Sequence, residues 1–122
     1  MTIKKIEQNG VIIAQVEGEV TLVSDVQSAL DLMATVRYET DADRMILPKA
    51  ALAERFFVLS SGLAGDILQK FVNYQFKVAM VGDFSGYTSK PLRDFIFESN
   101  NGKHVFFVSS VEEALEKLAR TK

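Results

Sequence analysis

The feature that most constrains this chain is alternation. From residue 24 onward, segments with a helical apolar period trade places with short apolar runs at residues 45–47, 76–81 and 105–108. Gly, Pro, Asn and Ser punctuate the joins. Strands separated by helices are joined by crossovers, which are right-handed and give a mainly parallel sheet. Ahead of this pattern stands a different signal. Asn9-Gly10 lies between β-prone stretches at 2–8 and 11–16, and Asn-Gly suits a type I′ hairpin turn because both central positions need positive φ. A two-residue loop sets Ile6 opposite Ile13 and Ile3 opposite Val16, apolar against apolar. The expected order is β-β-α-β-α-β-α-β-α, a single α/β domain over residues 1–122 with an antiparallel hairpin at its start.

Local chemistry places the helices. Ser24 with Gln27 reads as a capping box. Val26, Ala29, Leu30, Met33 and Val36 follow at helical spacing, with an end expected near Arg37 or Tyr38. Pro48 stops the strand at 45–47, because proline cannot donate a ladder bond. Residues 49–74 are helical in composition but interrupted. Ala50, Leu52 and Phe56 fit a short helix or turn, Ser60, Ser61, Gly62 and Gly65 break the pattern, and Leu63, Ile67 and Phe71 form the stripe of a helix running to about Tyr74. Ser89, with Pro91 in the first turn, opens a third helix that buries Leu92, Phe95 and Ile96 and leaves Phe97 off the stripe. Asn100-Asn101-Gly102 is expected to end it in a left-handed conformation. Ser110 and Glu113 read as a second capping box, before an inner face of Val111, Ala114, Leu115 and Leu118.

Composition narrows the function classes. At 122 residues, 48% hydrophobic and 25% charged, the chain can bury a core of its own. Fourteen Lys and Arg against 16 Asp and Glu give a net charge of −2 with no basic run, so no nucleic-acid partner is expected. There is no cysteine, which excludes disulfides, thiolate chemistry and Cys-type zinc sites and fits a reducing compartment. MTIKKIEQNG carries no apolar stretch behind its lysines and does not read as a signal peptide. No apolar run approaches the ~20 residues of a membrane helix. The expected location is cytoplasmic, without membrane contact.

Two places carry chemistry. Residues 82–89 follow a strand and precede a helix, where open α/β sheets bind ligands. Asp83, Ser85, Tyr87, Thr88 and Ser89 offer polar groups there, and Lys90 and Arg93 just beyond suit a small anionic ligand. The P-loop pattern and the dinucleotide fingerprint are absent. Ser60 and Ser61 stand at an expected helix start, where backbone N–H groups favour an anion such as a phosphoserine. An ordinary connecting turn and a plain serine cap account for the same residues. Asp83 is the best general-base candidate, but the single histidine, His104, belongs to another element. No zinc spacing and no G-x-S-x-G are present. No catalytic residue, metal ligand or cofactor site is therefore expected. The nine phenylalanines read as core.

Three long stretches are specific: DVQSALDLMATVRYET (25–40), SSGLAGDILQKFVNY (60–74) and VGDFSGYTSKPLRDFIFESNNG (81–102). By them, and over nearly its full length, the chain resembles the bacterial family catalogued as domain of unknown function 4180. The family label implies no activity. The element order and the stretch LSSGLAG at 59–65 also resemble the STAS or SpoIIAA-like group, which includes anti-sigma-factor antagonists. That group carries D-S-S-G-L-G, and a partner kinase phosphorylates the first serine; the resemblance gives this role to Ser60. Leu59 stands where the group has aspartate, and Ala64 where it has glycine. The leading expectation is thus a non-enzymatic regulatory or protein-interaction domain of STAS-like type. A small enzyme or sensor for an anionic metabolite at the 83–93 edge is the alternative. A homo-oligomer paired through the N-terminal hairpin is a third.

Overall fold

The computed structural model describes residues 1–121. The chain forms β1 (Thr2–Gln8), β2 (Val11–Glu17), α1 (Val26–Thr40), β3 (Arg44–Pro48), α2 (Leu63–Asn73), β4 (Lys77–Val81), α3 (Lys90–Asn100), β5 (Val105–Val108) and α4 (Val111–Arg120). Short 3₁₀ turns at Lys49–Ala51, Glu54–Phe57 and Leu59–Ser61 bridge β3 to α2. The hairpin has the register its turn predicts. Asn9 and Gly10 take φ of 55° and 76°, and Ile6 faces Ile13 and Ile3 faces Val16. The remaining strands are parallel, and the sheet order is the chain order, β1-β2-β3-β4-β5.

That sequential order fixes the layers. Each right-handed crossover steps in the same direction, so α1, α2 and α3 all fall on one face. Ala29, Met33 and Val36 of α1, Ile67 and Phe71 of α2 and Leu92 of α3 share a core with Met45, Leu47, Val78, Met80 and Phe107 of the sheet. α4 follows the last strand and crosses to the other face. Its Ala114 and Leu118 pack on Ile13, Ile46, Ala79, Phe106 and Val108. The parity alternates within each strand as pleating requires. Because both faces are covered, β3, β4 and β5 read as unbroken apolar runs rather than alternating ones.

Several local expectations are corrected. The N-cap of α1 is Asp25, not Ser24. Its carboxylate accepts from the Ser28 N–H at 2.7 Å, and Ser28 Oγ reaches back to the Asp25 N–H at 3.1 Å, so Gln27 has no part in the box. α1 also runs past Tyr38 to the buried Thr40, where Asp41 closes it at φ 64°. α3 ends without a left-handed residue: Asn101 is right-handed at φ −88°. The left-handed stops fall instead at Asp41 and at Gln75, φ 54°. At α4, Ser110 Oγ accepts from the Glu113 N–H at 3.1 Å, but the Glu113 carboxylate takes the N–H of Ser109, one residue before the cap.

Two long-range contacts tie the layers together. The Arg44 guanidinium donates to the carbonyls of Leu118 and Thr121, satisfying orphan groups at the end of α4. The Asn100 side chain accepts from the Phe107 N–H at 2.7 Å and donates to its carbonyl at 3.3 Å. It occupies the outer edge of β5 as a further strand would.

Candidate functional site at the carboxyl rim

Parallel strands send all their following loops to one rim, and here those loops interlock. The Lys49 side chain, one residue past β3, lies across Gly82, one residue past β4. A Cβ built on Gly82 would stand 2.6 Å from Lys49 Cβ. Only glycine lets the two segments approach this closely. Lys49 Nζ then donates to the Asp83 carbonyl at 3.0 Å and sits 4.7 Å from the Tyr87 ring centre, 5.7 Å from Phe84 and 5.9 Å from Phe57. An ammonium faced by three rings at these distances is held by cation–π attraction. The rings also hold one another: Phe57 and Tyr87 stack at 4.9 Å and 15°, and Phe84 meets Phe107 edge-on at 5.3 Å.

This aromatic wall separates two hollows. On one side a groove of about 510 Å³ is lined by Phe57, Val58, Leu59, Ser60, Ser89 and Pro91. Phe57, Val58, Leu59 and Pro91 make its lining mainly apolar, and Val58 remains 51% exposed. On the other side a cleft of about 410 Å³ is lined by Gly82, Asp83, Phe84, Ser85, Phe107, Val108, Ser109 and Glu113. The cleft opens where the chain diverges: the loop after β4 leads to α3 on one face, and the turn after β5 leads to α4 on the other. Adjacent strands whose exits part in this way make the crevice in which open α/β sheets bind small molecules. A third hollow, about 420 Å³, lies at the opposite end beside Met33, Arg37 and Phe76, with the Arg37 guanidinium 5.5 Å over the Phe76 ring.

The residues singled out from the sequence divide accordingly. Ser60 and Ser89 share the groove, and Asp83 and Ser85 share the cleft. Tyr87 belongs to the wall between them, and Thr88 is exposed beside it. Lys90 and Arg93 are exposed on α3 and line neither hollow; the Lys90 ammonium pairs with Asp94 at 2.7 Å.

The serine pair does not cap α2, contrary to expectation. Gly62, at φ 79°, is the N-cap and supplies no side chain, and the serines lie in the preceding 3₁₀ turn. Ser61 Oγ donates to the Arg55 carbonyl at 3.1 Å and accepts from the Leu63 N–H at 3.2 Å, so it stitches the turn to the helix. Ser60 is exposed, and its hydroxyl makes no hydrogen bond among the described residues. Asp83 is similarly committed. Ser85 gives its carboxylate both an O–H bond at 2.6 Å and an N–H bond at 2.9 Å. These hydrogen bonds, the hydroxyl's first and then the backbone's, hold the Asp83 pKa below the usual carboxylate value, with Lys49 adding to the effect. A carboxylate stabilised in this way is a weak base.

Sequence reasoning missed Lys49, Phe57, Ser109 and Glu113. Lys49 and Ser109 carried one signal, their position immediately after β3 and β5; Phe57, in the second 3₁₀ turn, and Glu113, in the first turn of α4, carried none. The fold and rim together define a mixed α/β domain with a five-stranded sheet and paired hollows at its carboxyl edge. The chain belongs to the family described as Domain of unknown function (DUF4180), which matches residues 8–118. No curated protein and no solved structure matches it. No helix among the described residues is long and apolar enough to cross a membrane.

Proposed function

We propose that this chain is a regulatory protein-interaction domain of STAS-like type, working in the cytoplasm, and that its partner docks over the groove between Ser60 and Ser89. Phosphorylation of Ser60 is the switch. The observation that carries this reading is the contrast within the serine pair: Ser61 is bonded twice, whereas Ser60 stands exposed and unengaged on the rim of an apolar groove. A phosphate there adds nearly two negative charges beside Val58, Leu59 and Pro91 and opposes an apolar contact. In the neighbouring cleft the Asp83 carboxylate is held by Ser85 as a weak base, which favours binding over catalysis by that residue. The test is mass spectrometry of Ser60 in cells, together with pull-downs using Ser60→Asp and Ser60→Ala. The expected result is a phosphorylated fraction and a partner retained by Ser60→Ala but lost by Ser60→Asp. Unmodified Ser60 under all growth conditions, with identical pull-downs from both variants, ends the proposal.

A second reading, small-molecule binding in the 83–85 cleft, is favoured by the divergence of the β4 and β5 exits. Asp83 and Glu113 both line that cleft while Lys90 and Arg93 do not. That charge arrangement suits a neutral or cationic ligand better than the anionic one inferred from the loop sequence. A thermal-shift screen across ligands of each charge distinguishes them, since a ligand at a hundredfold excess over Kd stabilises by about 2.7 kcal/mol.

A further inference from the structure

The two edges of the sheet are unlike. Asn100 occupies the outer side of β5 through both backbone groups of Phe107. β1, at the other edge, runs seven residues without proline or bulge, and among the described residues β2 is its one strand neighbour. The two-residue turn makes Gln8 and Val11 the closing hydrogen-bonded pair. Bonding to β2 therefore falls on Gln8, Ile6, Lys4 and Thr2, and the N–H and C=O groups of Ile3, Lys5 and Glu7 point away from the sheet. Nothing among the described residues takes them up. Ile6 is a half-exposed strand isoleucine that joins neither core. Lys5 and Glu7 are exposed and enter no ion pair within the chain among the described residues.

We propose that two copies of this chain pair antiparallel through β1 about a twofold axis at Ile6, joining two five-stranded sheets into one. The register follows from charge. Because the outward-facing groups belong to residues 3, 5 and 7, the axis must pass through a residue rather than between two. An axis at Lys4 or at Lys5 sets lysine against lysine, and an axis at Glu7 sets glutamate against glutamate. An axis at Ile3 leaves Ile6, Glu7 and Gln8 without a cross-strand neighbour, and an axis at Thr2 or Gln8 pairs less of the strand still. An axis at Ile6 places Ile6 beside its copy and brings Lys5 of each chain opposite Glu7 of the other, twice, as hydrogen-bonded neighbours. The charges that would otherwise guard an exposed edge thus select one partner and one register.

Sedimentation equilibrium of the full chain over a concentration series tests this, with circular dichroism confirming the fold of each variant. The wild type associates to a dimer. Lys5→Glu or Glu7→Lys alone weakens the dimer on the order of tenfold or more, since each turns two attractive cross-strand pairs repulsive. The double variant Lys5→Glu/Glu7→Lys restores association, and an equimolar mixture of the two single variants forms the heterodimer. Because the chain has no cysteine, Ile6→Cys places one thiol at the axis. It cross-links to its copy under mild oxidation, whereas Lys4→Cys does not. A monomer at every concentration, a dimer indifferent to Lys5→Glu, or cross-linking at position 4 in preference to 6 overturns the proposal.

Discussion

At the scale of single residues, the rim depends on Gly82. An alanine there meets the base of the Lys49 side chain, not its flexible end, at 2.6 Å. Gly82→Ala is expected to cost about 1–3 kcal/mol, the usual range for an overpacked contact, and to pull Lys49 from its rings. Chemical denaturation measures the loss, and the near-ultraviolet signal of Tyr87 reports the displaced ammonium. Asp83 gives a pH prediction. Its folded pKa is depressed, so its contribution to stability is present above the ordinary value of 3.8 and is lost as pH falls through the folded value. Ser85→Ala removes the first cause of that depression and moves the Asp83 pKa back toward 3.8. Carboxyl NMR titration of Asp83 in both proteins reads the change. The Asp83–Ser85 pair spans two residues and was open to a local reading, but the part played by Lys49 was not. Lys49 meets Asp83 across 34 residues of chain, and no local pattern encodes a contact that the crossover alone creates.

At the scale of elements, what was legible was local and what was misread was shared. The β1–β2 hairpin could be registered from Asn9-Gly10 because the turn fixes its own geometry. The start of α1 was shifted by one residue because Ser24 and Asp25 are adjacent and both suit a cap. The choice is made from outside the helix, where the Leu22 and Val23 N–H groups bond to the Ala51 carbonyl and set where the strand-like entry stops. Asp25→Ala, which loses the cap bond to the Ser28 N–H, is accordingly expected to lower the melting temperature, while Ser24→Ala, having no side-chain bond to lose, melts close to wild type. Thermal melts of the two variants separate these outcomes. The apolar stripe of α1 stops at Val36, so the sequence places its end near Arg37 or Tyr38; the helix continues one half-turn further to the buried Thr40, whose hydroxyl bonds to the Val36 carbonyl at 2.7 Å.

At the scale of the whole molecule, strand order decides where helices lie. Sequence alternation predicted a parallel sheet but not its order, and only the sequential order puts three helices on one face and leaves the other to α4. That face is then unusually dependent on one element. Leu118, fully buried there, is expected to cost about 2–5 kcal/mol when truncated to alanine. The same substitution at Leu115, which is only partly buried, costs less. Equilibrium unfolding in urea compares them. The same layout explains the site. Because α3 and α4 leave on opposite sides, β4 and β5 part at their ends, and the cleft at Asp83 opens between them.

The placement of α4 also has a temporal consequence. Synthesis runs from β1 toward α4, so all five strands and the helices of one layer exist before the lid of the other layer has been made. Until the ribosome releases the segment bearing Ala114 and Leu118, Ile13, Ile46, Ala79 and Phe106 have nothing to lie against. A chain lacking that segment would carry an uncovered apolar sheet face, the kind of surface that makes incomplete folds prone to aggregate. Any message cut short before that segment yields a product that quality control can recognise by the face left uncovered.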